Sequence, residues 1–270
     1  MTTRSTKGLA VVTGASAGIG AVYADRLAKR GYDLLLVARN GERLQALADR
    51  LSRETGRKVE PFTADLGRKD DLARLETRLR EDASITMLVN NAGIGSVASI
   101  LQADVETMDA MIQLNITALT HLTYAVAPAF VARGSGTIIN ISSVVGIAVE
   151  MLNGVYSASK SYVLSFGHSL QKDLADKGVR IQTVLPGATA TEFWDVAGYA
   201  AQKTSVITMS AADLVDAALA GLDQGELVTI PGLQDVSDWT RWEEDRKTMS
   251  AKFGNAKPSV RYGLATANAA

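Results

Sequence analysis

The sequence has no cysteine and only two histidines, His121 and His168, among its 270 residues. The absence of cysteine excludes disulfides, thiolate zinc sites, iron–sulfur clusters and a cysteine nucleophile. Two histidines leave little material for a histidine-rich metal site. Because both lie in predicted helices, we expect them to be packed or partly exposed rather than catalytic. We predict no metal site.

Excess charge and long apolar runs are also missing. The 28 basic and 29 acidic side chains leave a formal net charge of −1. Nucleic acid is not an expected partner, since phosphate binding needs clustered Lys and Arg. No apolar run approaches the roughly 18–20 residues of a membrane span, and the polar residues 1–7 lack the apolar core of a signal peptide. We therefore expect a cytoplasmic enzyme or binding protein with a small-molecule ligand and no membrane partner.

Short apolar runs alternate with longer amphipathic ones along the whole chain, and no linker divides it. Apolar strands that alternate with helices are typical of a parallel sheet buried on both faces. The sequence therefore predicts an α/β fold: a single-domain, Rossmann-like, doubly wound parallel sheet of about seven strands with helices on both faces. Its ligand crevice should lie at the carboxyl ends of the strands. The predicted strands are 9–13, 33–38, 58–63, 86–90, 137–142, 179–185 and 227–230. The predicted helices include 19–30, 40–54, 104–131, 155–177 and 211–222.

The residues after the first strand, TGASAGIG at 13–20, predict a dinucleotide site. Gly14 permits a tight turn, while Gly18 and Gly20 let the backbone approach a ligand and let the helix pack on the sheet. The helix N-terminus then presents free N–H groups to a pyrophosphate. An ordinary glycine turn is the plainer alternative, but the strand–turn–helix context favours binding. The expected contacts are Gly14, Ser16, Ala17, Gly18, Ile19 and Gly20.

The residue that follows the second strand bears on the type of cofactor. NAD-specific sites place Asp or Glu there to bind the ribose 2′-hydroxyl, whereas this chain has Arg39. An acid would repel a 2′-phosphate, but an arginine can pair with it through a planar fork. NADP(H) is therefore favoured over NAD(H). The alternative is that Arg39 is a solvated side chain at a strand end.

Two further strand ends complete the predicted cofactor contacts. Asp65, next to Leu66, either accepts from an adenine amino group or caps the following turn. Asn90 is placed to hold the turn after the fourth strand. In the same turn Asn91, Ala92 and Gly93 would let the backbone lie against a ribose.

The chemical centre is predicted from Ser143, Tyr156 and Lys160. Tyr156 and Lys160 are four residues apart on a predicted helix and so share one face. Ser143 follows the fifth strand. A tyrosine is a good proton donor but a poor base near neutral pH. A cation about 4 Å away contributes on the order of 4 kcal/mol at an effective dielectric constant near 20. We therefore expect Lys160 to lower the pKa of Tyr156.

Together these motifs resemble the short-chain dehydrogenase/reductase family of core-length type. The matching elements are TGASAGIG at 13–20, NNAG at 90–93, Asn115, ISS at 141–143, YSASK at 156–160 and PG at 186–187. The resemblance implies an oxidoreductase that interconverts a carbonyl and an alcohol by hydride transfer, with Tyr156 as acid/base. It implies that Lys160 binds the nicotinamide ribose, Ser143 the substrate oxygen, and Asn115 a proton-relaying water.

The resemblance also implies that the loop after the sixth strand meets the nicotinamide carboxamide. Its candidate contacts are Pro186, Gly187, Thr189 and Thr191, with Thr191 favoured for its side chain and Thr189 for its backbone. A homo-oligomer, dimer or tetramer, is implied as well. An NAD(H)-dependent alcohol dehydrogenase and a catalytically silent dinucleotide-binding regulator remain as alternatives. The intact set of Asn115, Ser143, Tyr156 and Lys160 argues against the regulator.

The substrate pocket is predicted from segments 93–97, 144–155 and 193–201. Because 144–155 contains no Arg or Lys to clamp an anion, we expect an apolar or aromatic ketone, aldehyde or secondary alcohol. We predict one domain over 1–270, with 188–210 and 235–270 as segments that cover the substrate or contact another subunit. The apolar side chains available to the pocket are Val145, Ile147, Met151, Leu152, Phe193 and Trp194.

Overall fold

A computed structural model of the protein describes Ser5, residues 7–152, 154–200, Gln202, Ser205 and residues 207–264. Within these residues one sheet has seven parallel strands, in the order β3-β2-β1-β4-β5-β6-β9, and β7 pairs with β8 in a separate two-stranded sheet. The predicted doubly wound parallel sheet is confirmed. The strands are β1 (Leu9–Thr13), β2 (Asp33–Ala38), β3 (Val59–Thr63), β4 (Ile85–Asn90), β5 (Gly136–Ile141), β6 (Val179–Val184), β7 (Thr189–Ala190), β8 (Met209–Ser210) and β9 (Val228–Thr229).

Helices cover both faces of the large sheet because successive side chains of each buried strand point to opposite faces. In β1, Val12 packs in one apolar cluster with residues of β2, β4 and β5, and Val11 packs in the other. Both valines are fully buried. The helices are α1 (Gly18–Lys29), α2 (Gly41–Thr55), α3 (Lys69–Glu81), α4 (Val105–Ile112), α5 (Leu119–Arg133), α6 (Gly154–Leu174), α7 (Phe193–Val196), α8 (Ala211–Gln224) and α9 (Val236–Ser250).

Helix ends follow local signals in the sequence. The side chain of Asn40 caps α2 by accepting from the backbone N–H of Arg43 at 3.0 Å, as Asn, Asp and Ser do at helix starts. The predicted helix 155–177 ends in α form at Leu174 and continues as a 3₁₀ turn over Ala175–Lys177. Gly178 then stops it with a φ of 76°, in the left-handed region that favours glycine.

One continuous helical stretch, Val105–Arg133, comprises α4, a π-helical segment at Gln113–Ala118 and α5. Its 29 residues and mean hydropathy of 1.3 satisfy the length and composition expected of a membrane span, although no single apolar run in the sequence does. Its Leu122 and Phe130 pack in an apolar cluster with sheet residues such as Leu88. We interpret it as a core helix of the α/β layers.

The chain divides into two compact units, Met1–Gly232 and Leu233–Ala270. The first contains both sheets. In the second, Asp235 caps α9 by accepting from the N–H of Ser237 at 2.8 Å, and the rings of Trp239 and Trp242 stack with centroids 4.8 Å apart. The covering or subunit-contact role of 188–210 and 235–270 stays a prediction.

Candidate active site

The turn between β1 and α1 is built as the glycine pattern predicts. Gly14 and Gly18 have φ values of 66° and 54°, a conformation that side chains with a Cβ rarely adopt. Gly20 is required by close approach instead, since a Cβ there would lie 2.3 Å from the carbonyl oxygen of Gly14. Asn91 Nδ2 donates to the carbonyl oxygens of Thr13 at 2.9 Å and Gly14 at 3.2 Å. Asn91, which follows β4, therefore holds the turn that follows β1.

The expectation that Asn90 holds the turn is wrong. Asn90 is buried, and its Nδ2 donates to Thr123 Oγ1 at 3.0 Å and Asn140 Oδ1 at 2.9 Å. It therefore ties β4 to α5 and β5. The side chains of adjacent strand residues point to opposite faces, so Asn91, not Asn90, reaches the glycine turn.

A cavity of about 270 Å³ opens at the carboxyl ends of β1 to β4. Asp65 lies on it and also accepts from the N–H of Gly67 at 3.0 Å, so the turn-capping alternative is realised. Arg39 is exposed there and makes no ion pair or hydrogen bond within the described part of the chain. The predicted residues on the cavity are Gly14, Ser16, Ala17, Arg39, Asp65, Leu66, Ala92 and Gly93. Ile94 also lies on it, although the segment 93–97 was predicted for the substrate pocket. The lining residues not predicted are Val37, Ala38, Asn40, Arg43, Ala64, Leu114 and Glu192.

These surroundings fit a phosphorylated dinucleotide. The cavity combines a glycine turn at a helix start with two arginines, Arg39 and Arg43, and the carboxylate of Asp65. A cavity of about 330 Å³ at the opposite edge of the sheet offers no such set. There Arg78 pairs with Glu60 at 3.4 Å and with Asp82 at 3.1 Å, so this arginine is already matched by carboxylates.

Ser143, Tyr156 and Lys160 come together beneath this edge, at the end of β5 and on α6. The side chain of Ser143 hydrogen-bonds Tyr156 and donates to the carbonyl oxygen of Pro186 at 3.2 Å. Lys160 Nζ donates to the carbonyl oxygen of Ile141 at 3.0 Å and lies 5.7 Å from the centre of the Tyr156 ring. The three side chains are buried. The predicted spacing therefore assembles the expected trio.

Burial sets the proton affinities of this pair. It raises the pKa of Tyr156 above its ordinary value of 10.0, and the Ser143 hydrogen bond opposes the rise. Burial also lowers the pKa of Lys160 to about 8. We expected the Lys160 cation to lower the pKa of Tyr156, but loss of water around the phenol has the larger effect. The buried phenol is thus held in its protonated, donor form.

Asn115 lies in the π-helical segment and faces the loop after β4. Its Oδ1 accepts from the N–H of Ile94 at 3.0 Å, and its Nδ2 donates to the carbonyl oxygen of Ile94 at 2.9 Å and to Ser159 Oγ at 3.1 Å. The amide thus joins this loop to α6. Such π-helical turns are frequent at functional sites, but the apolar periodicity of 104–131 gave no sign of one.

A small apolar cluster surrounds the ring of Tyr156. Val145, Leu152 and Phe193, three of the predicted pocket residues, belong to it. The Phe193 ring lies 5.6 Å from that of Tyr156. The other members of the cluster, Ile94, Ala103, Met108, Met111, Val144 and Val155, were not predicted as individual pocket residues.

The remaining pocket predictions lie outside this cluster. Trp194 is buried, and its indole N–H donates to the carbonyl oxygen of Thr189 at 2.9 Å, which anchors the segment after β7. Met151 is 66% exposed, and Ile147 is half-buried. In the segment after β7, Thr191 Oγ1 accepts from the N–H of Phe193 at 3.4 Å.

The loop after β6 lies against the loop after β5, which carries Ser143. The carbonyl oxygen of Pro186 accepts from the N–H of Val144 at 2.9 Å. Gly187 is exposed, and Thr189 Oγ1 donates to the carbonyl oxygen of Gly187 at 3.1 Å. The side chain of Thr191 lies close to the glycine turn, since a Cβ on Gly18 would lie 3.1 Å from Thr191 Cγ2.

The two histidines lie apart from this edge, whereas Ile19 belongs to the glycine turn. His121 is half-exposed and its Nδ1 lies 2.6 Å from Glu76 Oε1 on α3. His168 is half-buried on α6. Ile19 packs its side chain against the apolar cluster of α1.

A family model described as short chain dehydrogenase matches residues 8–212. The chain belongs to this family, and it is a dehydrogenase/reductase enzyme. The solved structure of a short-chain dehydrogenase from Sphingobium yanoikuyae in complex with NADPH is 47% identical, with a TM-score of 0.92, and the match covers 94% of this chain and 100% of that one.

Two other relatives extend the comparison. The bulky-bulky ketone specific alcohol dehydrogenase from Comamonas testosteroni is 42% identical, with a TM-score of 0.88, over 94% of this chain and 98% of that one. An uncharacterised oxidoreductase of Staphylococcus saprophyticus is 35% identical over 82% of this chain and 94% of its own length.

Proposed function

We propose that the protein is an NADP(H)-dependent carbonyl reductase that interconverts bulky, apolar ketones and secondary alcohols. The apolar cluster around Tyr156 carries this proposal. Val145, Leu152 and Phe193 place hydrocarbon beside the proton donor, and the segment 144–155 contains no Arg or Lys to bind a carboxylate or phosphate on the substrate. The similarity to the Comamonas enzyme for bulky-bulky ketones supports the same substrate class.

The preference for NADP(H) rests on charge at the cofactor cavity. No acid stands directly after β2, where an NAD-specific site has one. Instead Arg39 and Arg43 line the cavity, and the Sphingobium relative binds NADPH. The proposed contacts are the turn 14–20, Arg39, Asp65, Leu66, Asn91, Ala92, Gly93, Tyr156, Lys160, Pro186, Gly187, Thr189 and Thr191.

The bound nicotinamide would supply the hydride, and the protein would supply the proton. In our proposal Ser143 orients the substrate oxygen, and the Tyr156 hydroxyl donates to it as the alcohol forms. The Lys160 ammonium then stabilises the phenolate that is left. Asn115 fixes the loop after β4 beside this trio and holds a relay water. The high pKa of the buried phenol suits the reductive direction, because the phenol stays protonated at neutral pH.

A substrate panel tests the proposal. Oxidation of NADPH and of NADH is followed with diaryl or aryl-alkyl ketones, short aliphatic ketones and anionic keto acids. We expect the bulky apolar ketones to have the highest kcat/KM, with NADPH preferred. Turnover of the keto acids alone would refute the substrate class, and equal use of the two cofactors would refute the cofactor assignment. Binding of NADPH without turnover of any carbonyl would favour a regulator.

The proposal also covers the location and the oligomeric state of the protein. We propose a cytoplasmic homo-oligomer, dimer or tetramer, whose partner in the reaction is a small molecule. The apolar length of Val105–Arg133 is consistent with this location, since part of it packs against the sheet.

A further inference from the structure

An ion pair joins two walls of the cofactor cavity. Arg43 Nη1 lies 2.7 Å from Glu192 Oε2. Arg43 is in the first turn of α2, and Glu192 immediately precedes α7. Both residues line the same cavity as Arg39, and each side chain is about half-exposed, at 53% and 55%. The pair therefore lies at the open rim of the cavity.

The two arginines at this rim differ in their partners. Arg39 has no ion pair within the described part of the chain, while Arg43 is already matched by a carboxylate. The backbone of Arg43 is fixed because its N–H donates to Asn40 Oδ1 at 3.0 Å. Asn40 follows Arg39 directly in the sequence. The same cap therefore fixes the backbone close to both arginines.

We propose that Arg43 is a second residue for the cofactor's 2′-phosphate and that Glu192 competes with the phosphate for it. This inference rests on the proposed use of NADP(H). A phosphate monoester carries about −1.5 to −2 charges at neutral pH, and arginine binds phosphate through paired N–H donors. Glu192 lowers the affinity for NADPH by occupying Arg43. NADH, which has a hydroxyl at this position, is indifferent to the pair.

The ion pair is weak enough to be displaced. A half-exposed pair between flexible side chains contributes little, commonly less than about a factor of five in an equilibrium constant. A phosphate with nearly twice the charge of a carboxylate is the stronger partner for the guanidinium. Arg43 thus acts as a second cation for the phosphate. Freeing it requires only the small free energy of breaking its ion pair with Glu192.

A double-mutant cycle tests the inference by direct binding. Dissociation constants of NADPH and NADH are measured by ligand fluorescence for the wild type, Glu192→Gln, Arg43→Gln and the double variant. We expect Glu192→Gln to tighten NADPH about threefold to fivefold and Arg43→Gln to weaken it about tenfold. NADH should change less than about twofold in either variant. In the Arg43→Gln background, the further substitution of Glu192 should change NADPH binding by less than about twofold.

Glu54→Gln is the matched control. It removes one carboxylate and one exposed ion pair, with Arg50 at 2.9 Å, from the same helix, and neither residue lines the cavity. It should leave both dissociation constants unchanged. Retained NADH binding in every variant shows that each one is folded.

Three results would overturn the inference: no effect of Glu192→Gln on NADPH, equal tightening of NADPH and NADH, or an effect that persists in full without Arg43. These differ from a failure of the proposed function. If the wild type shows no preference for NADPH over NADH, the cofactor assignment and the inference fall together. If the preference is present and the cycle shows no coupling, only the inference is lost.

Discussion

The two sides of the cleft are built from different materials. The cofactor side consists of strand ends and the turn that follows each one, with Gly14 and Gly18 in the left-handed region and charged side chains at the rim. The substrate side is an apolar cluster drawn from loops and from helices α4, α6 and α7, with Phe193 packed on the ring of Tyr156. Backbone geometry therefore shapes one side and side-chain packing shapes the other. The first tolerates little change, while the second can be altered one side chain at a time.

Tyr156 stands where the two sides meet, so removing its hydroxyl should separate binding from chemistry. We expect Tyr156→Phe to reduce kcat for ketone reduction at least about a hundredfold, because the proposed proton donor is lost. NADPH should still bind, with its dissociation constant raised less than about tenfold, since at most one hydrogen bond to the cofactor is lost. Steady-state kinetics and fluorescence titration measure the two quantities.

Tyr162→Phe is a suitable control for this substitution. It removes a hydroxyl from the same helix that contacts Thr120 Oγ1 at 2.9 Å and is not part of the trio. Its kcat should stay near that of the wild type. Near-normal turnover by Tyr156→Phe would disprove the acid/base assignment.

Arg39 tests the cofactor side alone. We expect Arg39→Ala to weaken NADPH at least about tenfold, since a bidentate arginine–phosphate contact is lost, and to change NADH less than about twofold. The KM for a bulky ketone at saturating NADPH should not move. Arg53→Ala, an exposed arginine in the last turn of α2, serves as the control. Equal weakening of both cofactors would show that Arg39 serves another purpose.

The pH dependence of kcat tests the role of Lys160 beside Tyr156. Its lowered pKa of about 8 means that the ammonium is lost near that pH. As pH rises through this value, the neutral amine no longer stabilises the phenolate formed when Tyr156 donates its proton. We therefore expect kcat for reduction to be flat below about pH 7 and to fall toward about one decade per pH unit above about pH 8. A profile that stays flat to about pH 10 would contradict this role.

The cofactor side could be predicted largely from the sequence, because its residues follow directly on apolar strands. The glycine turn, Arg39, and the Tyr156–Lys160 spacing each depend on one local element. The choice between Asn90 and Asn91 could not be made, since it depends on which face of β4 each side chain occupies. The π-helical turn at Asn115 could not be recognised from the spacing of apolar residues in the predicted helix 104–131.

The substrate side was predicted only as a set of segments. Trp194 looked available to a ligand, but it is committed to the carbonyl of Thr189. Met108 and Met111 lie in the predicted helix 104–131 and were not assigned to the pocket, but they pack beside Tyr156. The first outcome depends on a hydrogen bond between residues five positions apart in an irregular segment, and the second on packing between α4 and α6, which are distant in sequence. Neither composition nor periodicity encodes these contacts.

Gly95 offers the smallest and most selective test of the substrate side. A Cβ added there would lie 2.3 Å from Phe193 Cζ and 3.2 Å from Tyr156 Cδ2. The Phe193 ring must therefore shift in Gly95→Ala, because overpacked side chains are forced from their preferred positions. We expect kcat/KM to change about fivefold for bulky aromatic ketones and much less for short aliphatic ones, with NADPH binding unchanged.

The matched control is Gly154→Ala, at the start of α6, where an added Cβ meets no atom within 4 Å. It should leave the ketone profile unaltered. Adding Phe193→Leu to Gly95→Ala should relieve the crowding and bring the ratio of bulky to short ketones close to that of Phe193→Leu alone. If Gly95→Ala instead weakened NADPH and left the ketone ratio constant, the two sides of the cleft would not be separable at this position.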